Sequence, residues 1–297
     1  MSAFPDRNAA APAASFAGAP AAEGLAAIVG RFDALTVDQF GVLHDGAAPY
    51  SGVVAALRRI AELGLPVVVL TNSGKPAQAS VERLARLGIP GELVERVVSS
   101  GDVARAGIAA GAFGTPFVAG ARAYVVGREG DDYGLGDLGL DRVEAPEAAD
   151  FLLILGSNAP DTTLDDYERR LAAAARAGVP ALCANPDRTL ILPHGLYWAA
   201  GAIAARYHAL GAPVTYVGKP FGRIFRAALD LLPGVSAARV GHVGDSVEHD
   251  VKGGRAAGLT TVLVRTGIDA GKSEAEMARL FAEIGARPDV VLPAFRW

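Results

Sequence analysis

Cysteine is almost missing from this chain. Cys183 is the only one in 297 residues, which excludes an intramolecular disulfide and any zinc cluster built from cysteines. Its apolar setting, "PALCANP", marks it as a small buried residue rather than a nucleophile, and the composition fits a reducing cytoplasm. No run approaches the roughly 18 consecutive apolar residues that a membrane-spanning helix needs. Positive charge is not in excess: 28 Lys and Arg stand against 32 Asp and Glu, for a formal net charge of -4. The basic residues are scattered, so there is no stripe to track a nucleic-acid backbone. The Ala/Pro-rich opening, "MSAFPDRNAAAPAASFAGAP", has neither a basic start nor a continuous Leu/Val-type core, so it does not read as a signal peptide. The expectation for residues 1–22 is a disordered extension.

What the chain does have is apolar material, 51% of its residues, enough for a sizeable core. It is arranged as short aliphatic runs alternating with amphipathic helical stretches. "ALTVDQF" reads as a strand. "SGVVAALRRIAELG" reads as a helix, with Val53, Leu57, Ile60 and Leu63 at helical spacing. "LPVVVLTNSG" and "RVVSSG" are further strands, followed by helices over "PAQASVERLARLG" and "DVARAGIAAG". Gly64 and Gly88 stand just past helix ends, where a left-handed cap is wanted. The middle of the chain repeats the pattern with "RAYVVGREG", "DFLLILGSN", "DYERRLAAAARAGVP" and "ALCANPD". The last third adds strands in "VTYVGKP", "RVGHVGDS", "TTVLVRTG" and "DVVLP", with helices over "DVKGGRAAGL" and "KSEAEMARLFAEIG". This order predicts an α/β fold with a Rossmann-like parallel sheet and helices on its faces. No Pro/Ser linker separates the halves, so the expectation is one α/β core with a second α/β unit inserted into it.

In open parallel sheets, ligands bind beyond the carboxyl ends of the strands. The residues delivered there are Asp38, then Thr71 and Asn72, then Lys219, then Asp245, with Asp250 on the following helical turn. Each has an ordinary explanation when taken alone. An Asp after a strand is often a helix cap, Thr-Asn-Ser-Gly is turn chemistry, and Gly-Lys-Pro suits a surface loop. The set is more informative than its members: an acid, a hydroxyl, a lysine and a further acid follow separate apolar strands, with one more acid a helical turn on.

The segments "DQFGVL", "VLTNSG", "VGKP" and "VGDSVEHDVKGGRAAGL" resemble the four ordered motifs of the haloacid dehalogenase superfamily. The middle of the chain, with "AYVVG", "CANPD" and "GAIAARY", resembles the C2-type cap of its class IIA members, the p-nitrophenyl-phosphatase and nucleotide-phosphatase-like enzymes. The resemblance spans about residues 30–292. It implies a core of residues 23–103 and 214–297 with a cap of 104–213. It also implies a Mg²⁺-dependent phosphatase acting on a small phosphorylated metabolite, with neither nucleic acid nor membrane as partner. Asp38 is then the nucleophile, forming an aspartyl-phosphate that water hydrolyses. Asp38, the backbone carbonyl of Phe40, Asp245 and Asp250 are implied to hold Mg²⁺, a cation that prefers oxygen ligands. Lys219 supplies a point charge, and Thr71 with the amide of Asn72 donates hydrogen bonds to the transferring group. Asp187 and Arg188, in the cap loop "CANPDR", are implied to contact substrate. C2-capped relatives often dimerise, so a homodimer is expected.

One position departs from the pattern. Superfamily phosphatases usually carry Asp two residues after the nucleophile, as an acid for the leaving group and then a base for water. Here it is Phe40, which can do neither. Such help is typically worth about 10²–10⁴-fold. Three explanations stay open: substitution by His44, Asp45 or His249; a substrate with a good leaving group; or loss of phosphatase activity. The alternative chemistries are metal-independent dehalogenation, in which halide leaves without a proton, and a weakened protein that only binds phosphate in a regulatory role. His194, Tyr197 and Trp198 in the cap suit contact with a ring, or equally the cap's own core.

Overall fold

The computed structural model describes residues 14–94, 96–192 and 195–297. In chain order its principal elements begin with β1 (Ala14–Phe16), β2 (Ala19–Ala21), β3 (Ala34–Asp38), α1 (Val53–Glu62), β4 (Val67–Thr71), α2 (Ala77–Arg86) and β5 (Val97–Ser99). Next come α3 (Ser100–Ala109), β6 (Arg122–Val126), β7 (Asp141–Arg142), β8 (Phe151–Ile154), α4 (Leu164–Arg176), β9 (Ala181–Cys183), β10 (Thr189–Leu192) and β11 (Gly195–Trp198). The remainder is α5 (Ala200–Ala209), β12 (Val214–Tyr216), α6 (Gly222–Asp230), β13 (Val240–Gly244), α7 (Lys252–Ala256), β14 (Thr260–Val264), α8 (Glu274–Ile284) and β15 (Val290–Leu292). The chain divides into two compact units. One is Met1–Thr71, Ser80–Val98 and Phe225–Trp297; the other is Asn72–Ala79 with Ser99–Ile224.

The first unit is built on a sheet of order β1-β2-β15-β14-β13-β3-β4-β5. Its central pairings, β13 with β3, β3 with β4 and β13 with β14, are parallel. Every residue of β3 and β13 is buried, as expected of strands covered on both faces, which is why they read as continuous apolar runs rather than alternating ones. Leu35, Val37, Val69 and Val243 form a core with Val53, Leu57 and Ile60 of α1. Gly64 and Gly88 follow their helices at φ +64° and +87°, the left-handed geometry expected of them. β3 ends on Asp38 and β4 on Thr71, while β13 ends on Gly244, immediately before Asp245.

The second unit has its own sheet, order β12-β9-β8-β6-β7, parallel at every pairing. Its strands alternate: Leu152 and Ile154 pack with Tyr167 and Leu171 of α4 and Ile203 of α5, while Phe151 and Leu153 pack with Ile108 of α3 and Phe117. β10 and β11 form a separate antiparallel hairpin. Among the described residues, no helix is long and apolar enough to cross a membrane.

Three features correct the sequence reading. Of the extension expected over residues 1–22, residues 1–13 lie outside those described, and residues 14–22 are not structureless: β1 pairs with β2, and β2 pairs with β15 at the edge of the large sheet. The short Ala-rich strands carry no strong periodic signal in sequence, although Ala17 and Ala19 are buried in a core with Leu263, Met277 and Phe281. The strand before Lys219 pairs with β9 in the smaller sheet, so it does not belong to the large one. The helical segment after Asp245 opens with a π turn over Val247–Val251 before α7 begins.

Candidate active site

Asp38, Asp245 and Asp250 are brought together. Each is buried and offers a carboxylate oxygen within 4.8 Å of those of the other two. The backbone makes room for them in specific places. Gly41 and Gly267 adopt φ +89° and +71°, and a Cβ at either position would overlap the Asp245 carboxylate. Ile268 N–H donates to Asp245 Oδ2 at 2.7 Å. A Cβ at Gly244 would collide with the Asp250 carboxyl group. The "DSVEHDV" spacing therefore works only with small residues behind both acids.

Asp250 is aimed by the π turn. Val251 N–H reaches back five residues to Ser246 O at 3.1 Å, the long-period bond that defines such turns, which are frequent at functional sites. Ser246 N–H donates to Asp250 Oδ2 at 3.1 Å. His242 Nε2 lies 3.1 Å from Asp250 Oδ1, and its Nδ1 lies 2.9 Å from Thr36 Oγ1. An ionised carboxylate only accepts, so Nε2 carries the proton facing Asp250, while the Thr36 hydroxyl, able to donate or accept, holds Nδ1. Thr36 on β3 and His242 on β13 thus orient an acid from the next element, the arrangement that outer partners of a metal ligand adopt. Sequence reading passed over both residues. The signal was a single Thr and a single His inside otherwise apolar strands, "ALTVD" and "VGHVG".

In the second unit Asn72 is a buried knot. Its Oδ1 accepts from Lys219 N–H at 2.6 Å, and its Nδ2 donates to Lys219 O at 3.1 Å and to Asp187 Oδ1 at 2.7 Å. The side chain of Asn72 is therefore spent on positioning Lys219 and the Asp187 loop. Gly218 is required here because a Cβ would strike Asn72, Ser100 and Pro186. Lys219 is buried, Asp187 is half-buried, and Arg188 is exposed with its carbonyl accepting from Ala199 N–H at 3.0 Å. Trp198 serves the fold, donating from Nε1 to Thr162 O at 2.9 Å while its carbonyl accepts from Ser157 Oγ. Tyr197 is half-buried beside it. His194 lies outside the described residues. Cys183 is buried, and that burial pushes its thiol up to about 12, consistent with an inert core residue.

Phe40 sits in the turn after β3, its ring edge-on to His44 with centroids 5.4 Å apart. His44 is buried. Its Nδ1 accepts from Gly46 N–H at 2.9 Å, and its Nε2 lies 3.2 Å from the Gln39 side-chain amide. Burial, reinforced by Arg83, lowers its pKa to about 4. With one ring nitrogen accepting and the imidazolium disfavoured, His44 is neutral near pH 7 and has no readily given proton. Asp45 is a turn cap, Oδ1 accepting from Ala47 and Ala48 N–H at 2.8 Å each. His249 Nδ1 lies 3.3 Å from Ser246 Oγ, which accepts from the His249 N–H at 3.2 Å.

Comparison with known proteins places this geometry in a family. A haloacid dehalogenase-like hydrolase model matches residues 35–141, and a second HAD-hydrolase-like model matches residues 216–296. A dihydroxyacetone phosphatase of Corynebacterium glutamicum is 41% identical over 103 residues, covering 34% of this chain and about a third (36%) of the relative's length. A glycerol phosphate phosphatase of Mycobacterium tuberculosis, solved in complex with calcium, is 28% identical. That match covers 80% of this chain and 67% of the other, with a TM-score of 0.62. A solved hydrolase of the haloacid dehalogenase-like family from Brucella suis 1330 is 31% identical over 92% of this chain and 99% of the other, with a TM-score of 0.78. A match of that identity along nearly the whole of both chains makes this protein a member of the haloacid dehalogenase-like hydrolase family.

Proposed function

We propose that the protein is a Mg²⁺-dependent phosphatase that hydrolyses a small phosphorylated metabolite through an aspartyl-phosphate on Asp38. The observation that carries this reading is the buried trio Asp38, Asp245 and Asp250, whose ligand oxygens lie within 4.8 Å of one another. An all-oxygen set of this kind suits a hard divalent cation. Asp38, Asp245, Asp250 and the backbone carbonyl of Phe40 would hold Mg²⁺, whose charge offsets repulsion between the carboxylates and the phosphoryl oxygens. A carboxylate oxygen of Asp38 attacks phosphorus, and the bond to the leaving oxygen breaks. Water then attacks the same phosphorus and releases phosphate, freeing Asp38. Thr71 and the amide of Asn72 are the proposed donors to the phosphoryl oxygens. Lys219 is the proposed counter-charge, with Asp187 and Arg188 as contacts to the rest of the substrate. Relatives named for dihydroxyacetone and glycerol phosphate support a small organic phosphate as substrate. A homodimer and a cytoplasmic location rest on the family resemblance and on composition.

Phosphate release from p-nitrophenyl phosphate and from a panel of phosphorylated metabolites, with Mg²⁺ and then with chelator, tests this reading. Metal-dependent release is expected. Metal-free halide release from a 2-haloacid would establish the dehalogenase instead. Binding of phosphate without turnover of any substrate would establish the non-catalytic alternative.

A further inference from the structure

The smaller sheet has a ligand-binding topology of its own. In chain order its strands are β6, β7, β8, β9 and β12, but in space they run β12-β9-β8-β6-β7. Numbered within the sheet this is the order 2-1-3-4-5. The chain steps from β6 outward to β7, then crosses back to β8 and continues in the opposite direction. Connections leaving β6 and β8 therefore diverge, opening a crevice beyond their carboxyl ends, the place where doubly wound sheets bind ligands. Topology alone makes this a location, not a site.

A cavity of about 500 Å³ occupies that place, within the roughly 300–1,000 Å³ range of small-molecule pockets. Its wall runs from Tyr124 on β6 through the loop to Asp131, takes in Arg142 and Val143 at the end of β7 and Asn158 after β8, and is closed by Tyr167 and Arg170 of α4. The charges are unequal. Arg128, Arg142 and Arg170 line it, against Glu129 and Asp131. Asp131 is engaged by Lys75 at 2.6 Å, whereas none of these three arginines has an ion-pair partner among the described residues. The Arg170 guanidinium lies over the Tyr167 ring, 5.7 Å from its centroid. Guanidinium groups suit bidentate phosphate binding, and the half-buried Tyr124 offers flat surface to a ring. None of the residues assigned to phosphoryl chemistry lines this cavity.

We infer that this crevice is a second binding site, for a mononucleotide-sized organic phosphate, with the phosphate on Arg142 and Arg170 and the ring against the half-buried Tyr124. The site is independent of the reading given for Asp38.

Calorimetric titration with AMP tests it, using protein carrying Asp38→Asn so that no turnover intervenes. AMP is expected to bind the single variant and to lose about 10-fold or more in affinity when Arg142→Glu and Arg170→Glu are added. Adenosine, lacking the phosphate, is expected to bind at least about 10-fold more weakly than AMP. In an otherwise unaltered chain the two arginine substitutions, both on exposed side chains, should leave p-nitrophenyl phosphate hydrolysis and thermal melting as they were. AMP affinity that is the same with and without the arginines, or no AMP binding at all, overturns the inference. Absent hydrolysis with arginine-dependent AMP binding would sink the phosphatase reading and leave the second site standing.

Discussion

The two large-scale sheets, parallel at their centres, present opposite chemistry at the same architectural position. Beyond the carboxyl ends of the large sheet stand buried carboxylates, held by glycine backbones, a π turn and a histidine. Beyond the small sheet stand exposed arginines around an open cavity. Buried like charges raise one another's energy and persist only where a cation or fixed hydrogen bonds offset them. The exposed arginines remain solvated and carry little of that cost. On the readings proposed above, the large sheet carries the chemistry and the small sheet recognition.

Asp38→Asn should give the largest effect, a loss of turnover on the order of 10⁴-fold or more, because no covalent intermediate forms on an amide. The same change removes a charge from a crowded buried trio, so the melting temperature should hold or rise. Near-normal hydrolysis by a well-folded Asp38→Asn protein would eliminate the covalent mechanism. Asp245→Ala comes next. Activity and Mg²⁺ binding should fall together, because the remaining acids no longer close the ligand set. Calorimetry showing unchanged Mg²⁺ affinity would mean that the metal site lies elsewhere.

His242 tests the supporting layer. His242→Phe deprives Asp250 of a donor, and weakening of Mg²⁺ binding by about 10–100-fold is expected, as for other outer partners of metal ligands. His242→Gln, which keeps an N–H donor, should recover part of the loss. If Phe and Gln behave alike in Mg²⁺ titrations while melting at the same temperature, His242 is a packing residue and does not orient Asp250.

Legibility from the sequence followed the same contrast. Asp38 and Asp245 are readable because each closes or follows an apolar run that must be a buried strand, and strand ends locate ligand chemistry; Asp250 is readable from its place one helical turn after Asp245. The parallel sheets were readable from the alternation of runs and amphipathic helices. His242 and Thr36 were not singled out, since a buried polar residue earns its place only through a cross-strand partner that spacing does not reveal. The role of the Asn72 side chain was hidden because its partners, Asp187 and Lys219, are 115 and 147 residues away. The crevice of the small sheet was invisible for another reason. Strand order in space, not the residues themselves, creates it, and Arg142 and Arg170 look like ordinary surface charges until that order is known.

Phe40 gives the smallest and most discriminating test. An alkoxide needs a proton as it leaves, whereas a phenolate or carboxylate departs with little help. With Phe40 two residues after the proposed nucleophile and His44 held neutral by burial, the protein should hydrolyse aryl and acyl phosphates faster than alkyl ones. Its rate should fall steeply as leaving-group pKa rises. Phe40→Asp should raise alkyl-phosphate turnover by about 10-fold, short of the full 10²–10⁴ attributed to a well-placed acid. The shortfall follows from packing: the ring rests edge-on against His44 and close to Gly46, so a smaller carboxylate inherits a loose setting. Phe40→Leu separates loss of the ring from gain of the acid and should leave the dependence on leaving-group pKa as steep as before. Rates across substrates of graded leaving-group pKa decide the matter. A flat dependence in the unaltered protein would mean that an acid already serves the leaving group, and substitution of His249 would then be the next measurement.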